Sequence, residues 1–242
     1  MNSGELSPAV IFTIGPLQLT STTLTTLGIV AVLGFLAWLL SRRLLASRID
    51  DRPGGIQTSA EAVFLSIEDA VRAVAPDHVK LLLPFIGTLW IFLVVANLTG
   101  LIPGLHSPTR DLSATAALAI LVFLSVHWFG IRDQGLRSYL RHYITPNPIL
   151  LPFHVLSEIT RTIALAVRLF GNMMSLEMAA LLVLLVAGFL APIPILMLHI
   201  VEALVQAYIF GMLALIYVAG GLQLQQLKQA SQDKNEIGEN RE

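Results

Sequence analysis

The sequence contains no cysteine, which excludes disulfides, thiolate nucleophiles and cysteine zinc sites. It also has little charge. Only 13% of its 242 residues are Asp, Glu, Lys or Arg, against about 25% in an ordinary soluble domain. The net charge is −1, so the charge balance gives no indication of a nucleic-acid partner. Residues 1–21 hold no Lys or Arg, so the basic n-region of a cleaved signal peptide is missing. No internal repeat is present.

Apolar residues make up 55% of the chain and come in long uncharged runs. A bilayer core takes roughly 20 helical residues, and backbone groups inside it must be satisfied within the segment. The pattern predicts membrane helices over 22–40, 81–105, 112–131, 154–190 and 195–227, the first a retained span. Pro103-Gly104 and the Pro192-Ile193-Pro194 turn separate consecutive runs and make two hairpins. Segment 56–75 differs: Val63, Phe64, Ile67, Val71 and Val74 fall on one helical face, with Glu61, Glu68, Asp69 and Arg72 around the rest. That suits an amphipathic helix on a membrane surface, and an ordinary soluble helix in a loop fits the periodicity equally. The expected fold is an all-α polytopic membrane protein, a single membrane domain over 1–242. Its polar tail, 228–242, has a composition that reads as mobile.

Basic residues set the expected orientation. One side holds only Arg110, while the other holds Arg42, Arg43, Arg48, Arg52, Arg72, Lys80, Arg132, Arg137, Arg141, Lys228, Lys234 and Arg241, a split of one against twelve. The N-terminus is expected outside and the tail in the cytoplasm.

Charged residues inside the spans are the informative ones, because each costs about 2.5–3.5 kcal/mol at the bilayer centre on insertion scales and seldom faces lipid. Arg168 cannot shed its proton, so a fixed cation sits in a helix otherwise built of Ala, Leu, Val and Met. Arg161 lies seven residues before it, with Asn172 four and Ser175 seven residues after it, which places all four on one stripe. Glu177, nine residues on, is half a turn out of phase and is no intrahelical partner of Arg168. In the last run His199, Glu202 and Gln206 stand at i, i+3 and i+7, a second polar stripe. Polar groups in membranes also serve merely to join helices, and for Asn172, Ser175 and Gln206 alone the two readings balance. His106 and His127 read as interfacial or structural. A buried Arg with two carboxylates and a His on adjoining helices marks an ion or proton pathway.

Four segments carry a family resemblance. Arg168-Leu169-Phe170-Gly171-Asn172 reads as the signature of the a subunit of F-type ATP synthases. Gln206-Ala207-Tyr208-Ile209-Phe210 is similar to that family's motif in its final helix. Pro108-Thr109-Arg110-Asp111-Leu112 resembles its Pro-Thr-x-Asp-Leu turn, and Leu98-Thr99-Gly100-Leu101-Ile102-Pro103 resembles the end of the preceding span. The four occur in the family's order across about residues 80–220.

The resemblance implies one steep N-terminal span, a surface helix, a hairpin, and two long tilted helices that wrap a rotor ring. It implies that Arg168 faces the ring carboxylate, with Asn172 and Gln206 as polar neighbours. Glu177 and His199 fall at the positions the family uses near an outer half-channel, Asp111 at that channel's mouth, and Glu158 on the cytoplasmic side. Glu202 is an extra acid between the family's His and Gln positions. The implied partners are the rotor c-ring, peripheral-stalk b subunits, the other synthase subunits and membrane lipid, in a bacterial inner membrane. No cofactor or metal is implied, and ATP chemistry is expected on other subunits. His154 stands where the family often has a second acid and Thr162 where it often has Pro. The run from Ser113 to His127 and the Arg161-Thr162 pair resemble the alternative bacterial N-type subgroup, which is proposed to move sodium. Two rival classes are a self-contained secondary transporter, which usually shows paired broken helices that are missing here, and a non-conducting assembly subunit, which has no need of Arg168 or Glu177.

Overall fold

The computed structural model describes residues 10–14, 17–46, 55–102, 105, 107–135, 151–188 and 193–239. Among the described residues six α-helices follow one another: α1 Ser21–Ala46, α2 Gly55–Val74, α3 Val79–Thr99, α4 Leu112–Gln134, α5 Leu151–Ala187 and α6 Ile193–Glu239. Five contain stretches long and apolar enough to cross a membrane, namely Ser21–Arg42, Pro76–Thr99, Leu112–Arg132, Val155–Val186 and Ile193–Gly220. The all-α polytopic class therefore holds. One small addition was not anticipated: β1 Val10–Ile14 pairs antiparallel with β2 Leu17–Thr20, with an irregularity between Val10 and Phe12. The β-branched and aromatic content of Val10-Ile11-Phe12-Thr13-Ile14 suits a strand.

The 32-residue apolar stretch of α5 is about 48 Å long at 1.5 Å per residue. The hydrocarbon core is about 30 Å thick, so this helix crosses obliquely. It ends at Gly188, whose φ of +82° suits a residue without Cβ at a helix C-terminus. The tail was read as mobile from its polarity, but α6 runs on through it to Glu239. Gln223-Leu224-Gln225-Gln226-Leu227-Lys228-Gln229-Ala230 is made of good helix formers, with no Pro or Gly.

Lipid tails are as apolar as Leu, so helices in a bilayer associate through close packing rather than hydrophobic exclusion. The inner face of α6 shows how. Ala203, Ala207, Gly211 and Ala214 are buried at near-helical spacing, and α3 packs against them. Trp90 of α3 stacks on Tyr208, ring centroids 5.9 Å apart and 9° from parallel. Its Nε1 donates to the Tyr208 carbonyl at 3.4 Å. Leu82, Ile86 and Leu93 of α3, Val122 of α4, Leu165 and Leu169 of α5, and Phe210 and Leu215 of α6 complete the core. The second half of α2 joins it through the fully buried Val71, with Ile67, Ala70 and Val74 against it. Val63 and Phe64, expected on the same face, are exposed. The periphery belongs to α1, where Leu24, Leu27, Val30, Val32, Phe35 and Leu36 all face outward.

Candidate functional site

Polar side chains gather at three levels along α5. At the first, the C-terminal end of α3 meets the turn leading into α4. Asn97 is completely buried. Its Nδ2 donates to the Ala203 carbonyl of α6 at 3.1 Å, and its Oδ1 accepts from Thr109 Oγ1 at 2.8 Å. Ser107 Oγ lies 2.6 Å from Thr109 Oγ1 and donates to the Ala96 carbonyl at 2.9 Å. These bonds hold the short 3-10 turn Pro108–Arg110 against α3. Asp111 is then delivered as the N-cap of α4, its Oδ1 accepting from the Ser113 N–H at 3.0 Å, the ordinary role of Asp at that position. Its Oδ2 is buried with no hydrogen-bond partner among the described residues. The neighbouring Arg110 turns inward, and its Nη1 donates to Glu177 Oε2 of α5 at 2.7 Å.

The second level lies between α5 and α6. Asn172 Nδ2 donates to Gln206 Oε1 at 2.7 Å. Gln206 is 1% exposed, and its Nε2 finds no partner among the described residues. His199, two turns earlier on α6, is 3% exposed with Nε2 likewise unpartnered there. Buried polar atoms left without partners are rare enough to call for an explanation, often a functional one. Arg168 sits one turn before Asn172 but points away from the bundle, exposed beside Ala164, Gly171 and Ser175, which are also exposed. It has no ion-pair or hydrogen-bond partner among the described residues.

At the third level Glu158 Oε2 of α5 lies 3.6 Å from His127 Nε2 of α4. The other ring nitrogen, Nδ1, is 2.9 Å from the Phe123 carbonyl. Beside the pair is a cavity of about 40 Å³ lined by Glu158, Arg161, Thr162 and Tyr217 among others, room for two or three waters at about 10–15 Å³ each. The Arg161 guanidinium stands over the Tyr217 ring, 5.3 Å from its centroid, a cation–π contact.

The three levels do not merge. Arg168 is nine residues from Glu177 and ten from Glu158 along one continuous helix, so it stands about 14 Å from the first level and about 15 Å from the third at 1.5 Å per residue.

The family model for the ATP synthase A chain matches residues 22–219. This chain belongs to that family. It is similar to ATP synthase subunit a 2 of Pelobacter propionicus, 65% identical over 213 residues, covering 88% of this chain and 91% of that protein. It is also similar to ATP synthase subunit a 1 of Hahella chejuensis, 61% identical over 223 residues and 92% of each chain. ATP synthase subunit a of Legionella pneumophila is 59% identical over 217 residues, 90% of this chain and 93% of that one. As an F-type ATP synthase a subunit, the chain is a multi-pass membrane component that works with the other subunits of that complex.

For this a subunit the geometry adds to the sequence reading. Asn172 and Gln206, placed on separate stripes, are bonded to each other. Glu177 is out of phase with Arg168 as the periodicity required, and its partner is Arg110, counted in the sequence only as a loop charge. Glu202 is half-buried one turn past His199 and enters none of the bonded pairs found among the described residues. His127, read as interfacial or structural, is the neighbour of Glu158. Arg161 shares the face of Arg168 and rests on Tyr217. Asn97 and Thr109 were missed altogether. A lone Asn inside an otherwise apolar run was the available signal for Asn97. Thr109 had none beyond its place in the turn motif.

Proposed function

We propose that this a subunit is the stationary ion path of the synthase, delivering protons or sodium ions to a rotor-ring carboxylate and receiving them from it. The supporting observation is the placement of Arg168: a cation with no ion-pair partner among the described residues, on an exposed face beside Ala164, Gly171 and Ser175, between two separate polar clusters. That face is the docking surface for the rotor c-ring. Asp111, Glu177, His199 and Glu202 belong to the outer half-channel, and Glu158 to the cytoplasmic one. Asn172 and Gln206 brace α5 against α6 at the level of the arginine. Membrane lipid and peripheral-stalk b subunits cover other outward faces. The N-terminus is outside and the C-terminus cytoplasmic in a bacterial inner membrane, following the distribution of Lys and Arg.

The mechanism is electrostatic. A ring carboxylate surrounded by lipid must be neutral, because a bare anion there is very costly. Opposite Arg168 the guanidinium favours the ionised carboxylate, so the ion departs into one half-channel. The next carboxylate is neutralised from the other. The gap between the two clusters keeps ions from crossing except on the ring, and the fixed charge of Arg168 repels cations that would leak between them. No covalent chemistry is needed in this subunit, and ATP is handled elsewhere in the complex.

The test is Arg168→Ala in the assembled complex. ATP synthesis and ATP-driven ion pumping are expected to vanish and passive ion leak to rise. Substantial coupled synthesis by this variant would remove the basis of the reading. Lys at the same position is expected to restore little, because it offers a point charge without the planar fork and sheds its proton when desolvated.

A further inference from the structure

Arg110 is the only Lys or Arg between Lys80 and Arg132, and it lies in the turn on the side otherwise poor in positive charge. An exposed loop cation would reach for water. This one instead turns into the protein, 25% exposed, and binds Glu177, itself 15% exposed, at 2.7 Å. The turn that carries it is fastened before the arginine by the buried bond from Thr109 to Asn97, and after it Asp111 caps α4 by accepting from the Ser113 N–H. The pairing is thus built in by the fold. The two oxygens of Glu177 have different surroundings. Oε2 is taken by the guanidinium. Oε1 lies beside Gly100, 3.5 Å from where a Cβ at that position would be.

We propose that Arg110 is a positioning and selectivity residue of the outer half-channel, holding Glu177 as a one-oxygen acceptor that takes a proton and turns away metal cations. The proposal rests on the half-channel reading above and adds the ion that the outer path accepts. A proton needs a single oxygen lone pair, and Oε1 provides it. A sodium ion needs several oxygens around it, and here one of the two carboxylate oxygens is already taken by the guanidinium. The cycle balances without any other reactant. An arriving proton bonds to Oε1 and the carboxylate becomes neutral. The bond from Arg110 Nη1 to Oε2 then loses its charge assistance and weakens, while the guanidinium keeps its charge. When the proton moves inward, the anion returns and recaptures Arg110. One proton enters and one leaves. Among the described residues the other ionisable groups on this side are Asp111 in the same turn and His199 and Glu202 on α6. Arg110 is the one among them that is bonded to Glu177.

The experiment uses the whole complex in sealed vesicles, with ATP synthesis driven by an imposed proton gradient and membrane potential. Sodium is varied only in the compartment that the outer half-channel faces, at constant pH and ionic strength. In the unaltered complex synthesis is expected to be indifferent to that sodium, and a sodium gradient alone is expected to drive none. In Arg110→Gln the unpaired carboxylate becomes open to sodium, which is far more abundant than protons near neutral pH. The half-inhibitory sodium concentration is expected to fall at least about tenfold, equivalent to about 1.4 kcal/mol. Arg110→Lys keeps the charge and is expected to retain sodium indifference, which separates selectivity from mere support of the turn. Sodium-driven synthesis by the unaltered complex, or identical sodium responses in Arg110→Gln and the unaltered complex, would overturn the proposal. The Arg168→Ala complex, run alongside, tells the two ideas apart. If it still couples, the half-channel reading fails. If it does not couple while the Arg110 variants behave as wild type, only the present inference fails.

Discussion

The α3–α6 contact offers a sharp test of how the site is held, through Gly211→Ala. A Cβ built at Gly211 would come within 2.6 Å of Trp90 Cε2 and nearer still to Nε1 and Cδ1. Carbon atoms pack at about 3.5–4.0 Å, so the indole and α6 would have to separate by at least about 1 Å. The ring cannot easily yield, because it is stacked on Tyr208 and its Nε1 donates to the Tyr208 carbonyl. Overpacking of a tight core costs about 1–3 kcal/mol. Separation at this point also strains the Asn97–Ala203 bond, two turns along the same interface, and a buried amide left without its acceptor costs about 1–3 kcal/mol more. Gly211→Ala is therefore expected to lower assembly of the complex and the thermal stability of its membrane sector. Coupled synthesis should fall more steeply than ATP hydrolysis, because α6 also carries Gln206 and His199. Membrane yield of the subunit, the melting temperature of the purified complex and the ratio of synthesis to hydrolysis measure this. Combining Gly211→Ala with Trp90→Ala removes the clash, and contacting sites depart from additivity in this way. The double variant should be healthier than Gly211→Ala alone. A Gly211→Ala complex with unchanged yield, melting temperature and coupling would refute the claim that this close approach positions α6.

Thr109→Val removes the donor to buried Asn97 Oδ1 and is expected to destabilise the membrane sector by about 1–3 kcal/mol, read as a lower melting temperature; Thr109→Ser should be nearly silent. Arg161→Ala is expected to reduce coupled synthesis far less than Arg168→Ala, since the Arg161 guanidinium is engaged by Tyr217 whereas Arg168 has no partner among the described residues; equal losses in the two variants would refute that distinction. Tags at residues 2 and 240 should be accessible from opposite faces of the membrane, the first from outside; finding both on one face would overturn the orientation. Cysteines placed at Glu177, His199 and Glu202 in this cysteine-free chain should react with small polar thiol reagents added from outside, and inertness of all three in an active complex would count against their shared outer cavity.

What the sequence determined by itself was local in origin. Run length and hydropathy are properties of single segments, so the all-α membrane class was readable, and four short motifs in order sufficed for the family. Helical period is equally local: it placed Arg168, Asn172 and Ser175 on one stripe and turned Glu177 away from them. Composition was a weaker guide where intrinsic propensity opposed it, as in the polar tail that continues α6. The hairpin Val10–Ile14 with Leu17–Thr20 escaped notice because attention to apolar length discounts short strands. Only the tertiary structure decided which stripe meets which. Arg110 with Glu177, His127 with Glu158, Asn172 with Gln206 and Asn97 with Ala203 are each separated by 31 to 106 residues, and no periodicity reaches that far. Their meeting depends on where α3, α4, α5 and α6 cross. In a bilayer those crossings are set by close contacts of small residues, such as Gly211 under Trp90, since lipid supplies no hydrophobic force to select among them.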